Sequence, residues 1–240
     1  MSYSAPPETV SFHGLLFDMD GTIIDSTAAV VKHWHTIGAE IGVDPKVILE
    51  TSHGRRSIDV LKILRPDKAN WEYVRNMEGL LPKLYGKDAV EIPGARALLD
   101  SLIAANAPWA IVTSGTLPLV TGWLDVLKLP HPEYLVTAES VKNGKPDPAC
   151  YQLGRDKLQL GSGAEKDVLV LEDSPAGIIA GKAAGCKVIG LVTSHTLEQV
   201  VAAEPDWVVR DLESVNMVSC EGGQVTLQIS DALVAAAVPK

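Results

Sequence analysis

Cysteine is scarce in this 240-residue chain: Cys150, Cys186 and Cys220 are an odd number, widely spaced, and lack the pairing a metal site needs. They exclude a disulfide-stapled secreted scaffold and read as reduced, small apolar residues. Basic residues are outnumbered, with 21 Lys and Arg against 30 Asp and Glu and a net charge of -9. An acidic surface of that kind disfavours non-specific attachment to nucleic acid or anionic lipid. No run approaches the roughly 18 apolar residues that cross a bilayer. Met1 to Ser11 contains Pro6, Pro7 and Glu8 and has no apolar signal core, so a cytoplasmic protein is expected. Internal repeats and low-complexity tracts are also missing. With no membrane or nucleic-acid partner indicated, the expectation is a monomer acting on a small molecule.

What is present is an ordinary globular mixture, 46% apolar and 21% charged, long enough for one core plus a smaller appended domain. Short runs rich in Val, Ile and Leu recur at Phe12–Phe17, Trp109–Thr113, Val168–Leu171, Lys187–Leu191 and Trp207–Val209. They lack strict alternation and the later ones are separated by helical patterns, as buried parallel strands are. Pro175 opens one of those helices and Gly185 follows its last apolar residue. The fold class is therefore α/β: a doubly wound, mostly parallel, Rossmann-like sheet.

The first gap breaks this rhythm. A βαβ unit needs about 30 residues, yet roughly 90 separate Phe12–Phe17 from Trp109–Thr113. Helices are expected there near Ser26–Ile41, Pro45–Thr51, Ser57–Leu64 and Ala69–Leu84, with no convincing strand. Asp44-Pro45 makes an N-cap and first-turn pair, and Pro93-Gly94 marks the return before a helix at about Ala95–Ala105. The reading is a discontinuous core, residues 1–25 and 93–240, with a helical cap at 26–92 inserted after the first strand. Such a lid suits an enzyme that closes over a small substrate. Near the C-terminus, Val215, Met217, Val218 and Val225, Leu227, Ile229 flank Glu221-Gly222-Gly223, a hairpin expected to extend or cover a sheet edge.

The sharpest chemical signal is Phe17-Asp18-Met19-Asp20-Gly21-Thr22, directly after the first strand, where α/β sheets place ligands. A carboxylate is already ionised at pH 7, so Asp18 can serve as a nucleophile without a base. It needs a cation beside it, because an anion must approach an anionic phosphate. Asp20 can protonate a leaving alcohol and then deprotonate the hydrolytic water. Gly21 permits the sharp turn. A second element, Ile111-Val112-Thr113-Ser114-Gly115, ends a strand in a hydroxyl and open amides that form a plausible anion nest. A third, Gly144-Lys145-Pro146-Asp147-Pro148, holds Lys145 on a rigid turn before a helix beginning near Asp147. From there its ammonium can neutralise both Asp18 and a phosphate. A fourth, Val168-Leu169-Val170-Leu171-Glu172-Asp173-Ser174-Pro175-Ala176-Gly177, is an apolar strand ending in two carboxylates, the hard oxygens that Mg²⁺ requires.

Taken in order, these four elements resemble the four motifs of the haloacid-dehalogenase-like hydrolases, from Phe12 to about Asp211. The resemblance implies a covalent phospho-aspartate at Asp18, an acid/base at Asp20, and phosphate contacts from Met19, Thr113, Ser114, Gly115 and Lys145. It also implies Mg²⁺ held by Asp18, the Asp20 carbonyl and Asp173, with Glu172 ligating directly or through water. Asp at position 20 points to phosphatases or phosphomutases within the family. The insertion resembles the cap of β-phosphoglucomutase and phosphoglycolate phosphatase. Ser52-His53-Gly54-Arg55-Arg56 resembles a segment of eukaryotic glycerol-3-phosphate and 2-deoxyglucose-6-phosphate phosphatases. On this basis His53, Gly54 and Arg56 are expected to contact the substrate, with Arg55 facing solvent.

The implied activity is Mg²⁺-dependent hydrolysis of a small sugar or polyol phosphate. A phosphomutase, or a non-catalytic binding protein on the same fold, is the alternative. His33, Trp34 and His35 lie on the first cap helix, where an interfacial or surface position is expected for both histidines, although either can face the cleft. Trp71, Trp123 and Trp207 read as packing residues.

Overall fold

The computed structural model describes residues 2–52, 54–161, 163, 164 and 167–234. In chain order it builds β1 (Ser2–Tyr3), β2 (Glu8–Phe12), β3 (Gly14–Phe17), β4 (Ile24–Asp25), α1 (Thr27–Ile41), α2 (Pro45–Ser52), α3 (Ser57–Leu64) and α4 (Trp71–Tyr85). Then follow β5 (Val90–Glu91), α5 (Ala95–Ala104), β6 (Trp109–Val112), α6 (Leu117–Leu127), β7 (Tyr134–Val136), α7 (Ala149–Lys157) and β8 (Val168–Glu172). The chain continues through α8 (Pro175–Ala183), β9 (Lys187–Leu191), α9 (Leu197–Ala202), β10 (Trp207–Val209), β11 (Val215–Glu221), β12 (Gln224–Ile229) and β13 (Leu233–Val234).

Six strands form one sheet in the order β10-β9-β8-β3-β6-β7, and every neighbouring pair is parallel. Alternate residues of each strand face opposite sides, and both sides are buried. Leu15, Phe17, Ile111, Leu169 and Leu171 enter one apolar cluster, while Leu16, Val112, Val168 and Val170 enter the other. That two-sided burial explains why these runs read as uninterrupted apolar stretches.

Two strand expectations are corrected. The run at Phe12–Phe17 divides between two sheets: Phe12 ends β2, which pairs with β12, while Gly14 opens β3 in the main sheet. The divide falls at His13, whose N–H donates to the Asp167 carbonyl. The sixth parallel strand, β7, was not anticipated. It is only three residues long and follows Pro130 and Pro132, too short for any periodicity to show. The C-terminal hairpin forms as β11 and β12, but it extends β2 into a separate antiparallel sheet rather than the main one.

Helices α1 to α4 fall within residues 26–92, and Ser57–Leu64 is helical over the expected span. Trp34, Ile41, Ile48, Leu61, Val74 and Met77 gather there into an apolar cluster of their own. At its base, β4 pairs antiparallel with β5. This two-residue ladder was missed because it carries no pattern, yet it is where the chain leaves and re-enters the sheet. No described helix is long and apolar enough to cross a membrane.

Candidate active site

The C-terminal ends of the three adjacent strands β8, β3 and β6 carry Asp173, Asp18 and Thr113 respectively. Asp18 is anchored by its own N–H, which donates to the Leu171 carbonyl at 3.0 Å. The chain then doubles back: the Met19 carbonyl accepts from the N–H groups of Thr22, Ile23 and Ile24. Gly21 sits in this loop at φ +94, and a Cβ there would lie 2.1 Å from Asp173 Oδ2. Only glycine fits, because both the backbone and the neighbouring acid exclude a side chain. Met19 itself is fully buried, so what it offers a ligand is backbone.

Lys145 lies behind Asp18. Its Nζ donates to Asp18 Oδ1 at 2.5 Å, Glu172 Oε1 at 2.6 Å and the Val112 carbonyl at 3.2 Å. The Lys145-Pro146 peptide is cis. Burial by itself would lower the lysine's pKa, but Asp18 and Glu172 together raise it well above the ordinary value. Lys145 is therefore a fixed cation at any working pH.

Asp18 does not show the lowered pKa expected of a simple ion pair. Burial and the nearby carboxylates Glu172 and Asp173 hold it well above the usual range, despite Lys145. Burial is the larger cause, and the single ammonium of Lys145 is shared with Glu172, so it cannot offset both burial and the neighbouring charges. Asp18, Glu172 and Asp173 each place an oxygen within 4.8 Å of the others. With all three ionised the local charge is -3, and Lys145 reduces it to -2. This donor set fits a hard divalent cation in both charge and ligand type.

Asp173 is further engaged by Thr22 Oγ1 at 3.3 Å, by Ser194 Oγ, and by His195 Nδ1 at 3.7 Å. Glu172 is more heavily committed. Its Oε1 accepts from Lys145 and from the Tyr151 hydroxyl, and its Oε2 accepts from the N–H groups of Asp173 and Ser174 and from Ser174 Oγ.

Asp20 accepts from Ser26 Oγ at 2.5 Å. Burial pushes its carboxyl up to about 6, against the smaller pull of the Ser26 hydrogen bond. A carboxyl near 6 exchanges a proton readily around neutrality, as an acid/base must. Thr113 Oγ1 accepts from the Gly115 N–H at 3.0 Å, and Ser114 Oγ donates to the Gly54 carbonyl at 3.0 Å.

Asp18, Asp20, Thr113, Ser114, Gly115 and Asp173 line a cavity of about 110 Å³, and Gly54 and Arg55 face them from the helical insertion. His53 lies outside the described residues. Arg56 is not in the cavity wall. Its guanidinium is buried, donating to Asp59 Oδ2 and to the carbonyls of Ala138, Val141 and Lys142. It packs so closely over Gly144 that a Cβ there would come within 2.6 Å of Nε. The expectation that Arg56 contacts the substrate is therefore corrected, while Arg55 is exposed to solvent as expected and also borders the cavity. Arg56 is in extended backbone, where neighbouring side chains point to opposite sides. Once Arg56 turns to the loop before Lys145, Arg55 is left toward the cavity.

Three further residues line the cavity: Glu78, which the sequence did not single out; His33, one of the two histidines that could face the cleft; and Ser52, which opens the segment at 52–56. Glu78 on α4 accepts from Ser57 Oγ at 2.5 Å and from the Thr116 N–H at 2.8 Å, and burial pushes its carboxyl up to about 7. His33 on α1 is in the wall, held down to about 4 by burial, whereas His35 is exposed. Ser52 closes α2 and is also in the wall. Glu78 reads in sequence as an ordinary position on an amphipathic helix, and nothing local distinguished it.

A parallel sheet with a lysine-paired aspartate, a second tunable acid and a hydroxyl loop at neighbouring strand ends is the arrangement of a hydrolase that uses an aspartate nucleophile on a doubly wound sheet. The comparisons agree. The chain belongs to the haloacid dehalogenase-like hydrolase family, whose sequence model it matches over residues 15–191. It is 38% identical to Glycerol-1-phosphate phosphohydrolase 1 of Saccharomyces cerevisiae, over 98% of this chain and 97% of that one. It is 35% identical to 2-deoxyglucose-6-phosphate phosphatase 1 of the same yeast, over 92% and 96%. A hydrolase from Pseudomonas syringae shares the fold, with a TM-score of 0.69 at 24% identity, covering 83% of this chain and 94% of that one.

Proposed function

We propose that this chain is a Mg²⁺-dependent phosphatase of a small sugar or polyol phosphate, working through a phospho-aspartate at Asp18. The observation that carries the reading is the pairing of Asp18 with Lys145 at 2.5 Å while Asp20, two residues on, is held at about 6. One carboxylate is placed for attack and the other for proton transfer.

Asp18 attacks phosphorus, the ester P–O bond breaks, and Asp20 gives its proton to the leaving alcohol oxygen. Water then attacks phosphorus, Asp20 takes a proton back, and Asp18 is regenerated as inorganic phosphate leaves. Thr113, Ser114, Gly115 and the Met19 backbone bind the phosphoryl oxygens, and Lys145 offsets the negative charge that develops. Asp18, Asp173 and the Asp20 carbonyl would hold Mg²⁺, with Glu172 in the same cluster. When bound, the ion screens the carboxylates from the phosphate and polarises it.

Residues 26–92 are read as a cap over the core at 1–25 and 93–240, and the β4–β5 ladder is its root. The substrate class follows from the named yeast relatives, which are phosphatases of glycerol phosphate and 2-deoxyglucose-6-phosphate.

The test is a panel of phosphorylated C2–C6 metabolites with Mg²⁺, scored for phosphate release. Release from sugar or polyol phosphates is expected. No release from any member, or phosphate moved between positions without release, would overturn the proposal.

A further inference from the structure

The cavity has two chemically different walls. The sheet side carries Asp18, Asp20, Thr113 and Asp173, which are spoken for by phosphate chemistry. The helical side carries Val30, Trp34 and Leu81 together with polar groups that the mechanism does not use.

Two of those polar groups stand out. His33 Nε2 and Ser52 Oγ are both buried, and neither makes a hydrogen bond within the protein. His33 is 4% exposed and Ser52 8% exposed. They come from separate helices, α1 and α2, yet line the same cavity. Buried polar atoms are nearly always paired, because leaving one unpaired forfeits its hydration with no return. Two residues with such atoms line one wall of a space that must hold a ligand, so the ligand is the partner within their reach.

The kind of partner follows from charge. His33 is a neutral imidazole, since burial holds it down to about 4. The wall neighbour of His33 and Ser52, Glu78, adds no positive charge, and Arg55, the cation that borders this side of the cavity, is exposed to solvent, where its charge is screened. A neutral imidazole nitrogen and a hydroxyl suit alcohol groups, which both donate and accept. They offer no counter-charge for a carboxylate or a second phosphate.

We propose that His33 Nε2 and Ser52 Oγ hydrogen-bond free hydroxyls on the alcohol portion of the substrate, making them specificity-determining residues. The inference rests on the phosphatase reading above and adds which groups recognise the polyol. The site therefore prefers a hydroxylated ester over an alkyl phosphate of equal length, and over one bearing a carboxylate.

The experiment compares kcat/KM for glycerol phosphate, n-propyl phosphate and phosphoglycolate, with Mg²⁺, in the wild type, His33→Phe and Ser52→Ala. Phenylalanine keeps a ring against Trp34, whose ring centroid lies 5.7 Å from that of His33. The wild type should favour glycerol phosphate over both others. In each variant the ratio of glycerol phosphate to n-propyl phosphate should fall about tenfold, as for one lost neutral hydrogen bond. A merely structural role would lower both activities together and leave the ratio unchanged, and that result overturns the proposal. If His33→Phe does not fold, Ser52→Ala, which removes a single oxygen, carries the same test. A wild type that hydrolyses all three equally, or favours phosphoglycolate, refutes this inference alone. A wild type that hydrolyses none refutes the phosphatase reading with it.

Discussion

Replacing Glu78 by glutamine should change how stability depends on pH, in a direction that the structure dictates. Glu78 is buried where α4 meets the start of α6, and its two oxygens accept from Ser57 Oγ and the Thr116 N–H. Burial raises its pKa from 4.5 to about 7, outweighing the two hydrogen bonds that pull it down. A carboxyl raised that far disfavours its ionised form by about 3 kcal/mol in the folded protein. Between pH 4.5 and 7 the folded chain keeps a proton that the unfolded chain has released. Stability therefore falls as pH rises through that window, and the loss is complete above about 7. Glutamine keeps an acceptor for Thr116 and can donate its amide to Ser57 Oγ, so the same contacts persist without the charge.

The expected outcome is that Glu78→Gln gains on the wild type by up to about 3 kcal/mol at pH 8, and by little or nothing at pH 4.5. Urea unfolding of both proteins at pH 4.5, 6 and 8, with chelator present throughout, measures the difference. Holding metal out fixes ligand linkage, and subtracting the two curves cancels the other titrating groups. A pH-independent difference, or one that favours the wild type at high pH, would refute the reasoning.

Asp18→Asn should remove phosphate release while leaving circular dichroism and the unfolding midpoint near wild type; substantial turnover in the folded variant would exclude covalent attack from Asp18. Chelation should abolish activity reversibly, and Ca²⁺, with longer bonds and more ligands, should bind but support turnover poorly; full activity after exhaustive chelation would remove the metal assignment. Arg56→Ala should destabilise by roughly 3 kcal/mol, because it strips a buried guanidinium from three carbonyls and Asp59. Its kcat/KM should fall by one common factor across substrates, whereas Arg55→Ala should reorder them; a substrate-dependent effect confined to Arg56→Ala would reverse those roles.

What the sequence revealed was what local chemistry marks. Asp18, Asp20, Thr113 and Asp173 each follow an apolar strand and Lys145 stands in a rigid Lys-Pro turn before α7, so their placement could be read from neighbours in the chain. The structure brings them together because β8, β3 and β6 are adjacent and parallel. Groups placed by packing between distant segments left no such trace. Arg55 and Arg56 are adjacent and chemically identical, and only the carbonyls of Ala138, Val141 and Lys142 decide which one turns inward. Glu78 needs the Thr116 N–H, 38 residues away, before it stops looking like a solvated helix acid. β7 and the β4–β5 pair were missed for a different reason. Runs of two or three residues have too little length to show a period, and their neighbours in the sheets define them.

The joint between residues 26–92 and the rest of the chain combines close packing of α4 on α6, where Gly79 meets Pro118 and Pro82 meets Gly122, with a set of polar contacts. Arg56 reaches the carbonyls before Lys145, Glu78 reaches the N–H of Thr116, and Ser114 reaches the Gly54 carbonyl. Each of these is exchanged for a hydrogen bond to water when the joint parts, at a net cost of about 1 kcal/mol for the neutral Ser114 bond and about 1.5–3 kcal/mol for bonds to a charged group such as Arg56. Apolar packing is partitioned differently. Much of that of α1 to α4 stays within their own cluster, while the sheet keeps its two. Separating the two parts would still expose apolar surface along the α4–α6 contact and at the roots of α1 and α4, where Ala29 and Leu81 join the main core. On the reading of residues 26–92 as a cap, those roots and the β4–β5 ladder form the hinge. The same polar contacts then act twice: they close the cap, and through Arg56 they steady the loop that delivers Lys145 to Asp18. Lys145 itself is held from the sheet side, by Asp18, Glu172 and the Val112 carbonyl, so the charged pair does not depend on residues 26–92 for its direct contacts.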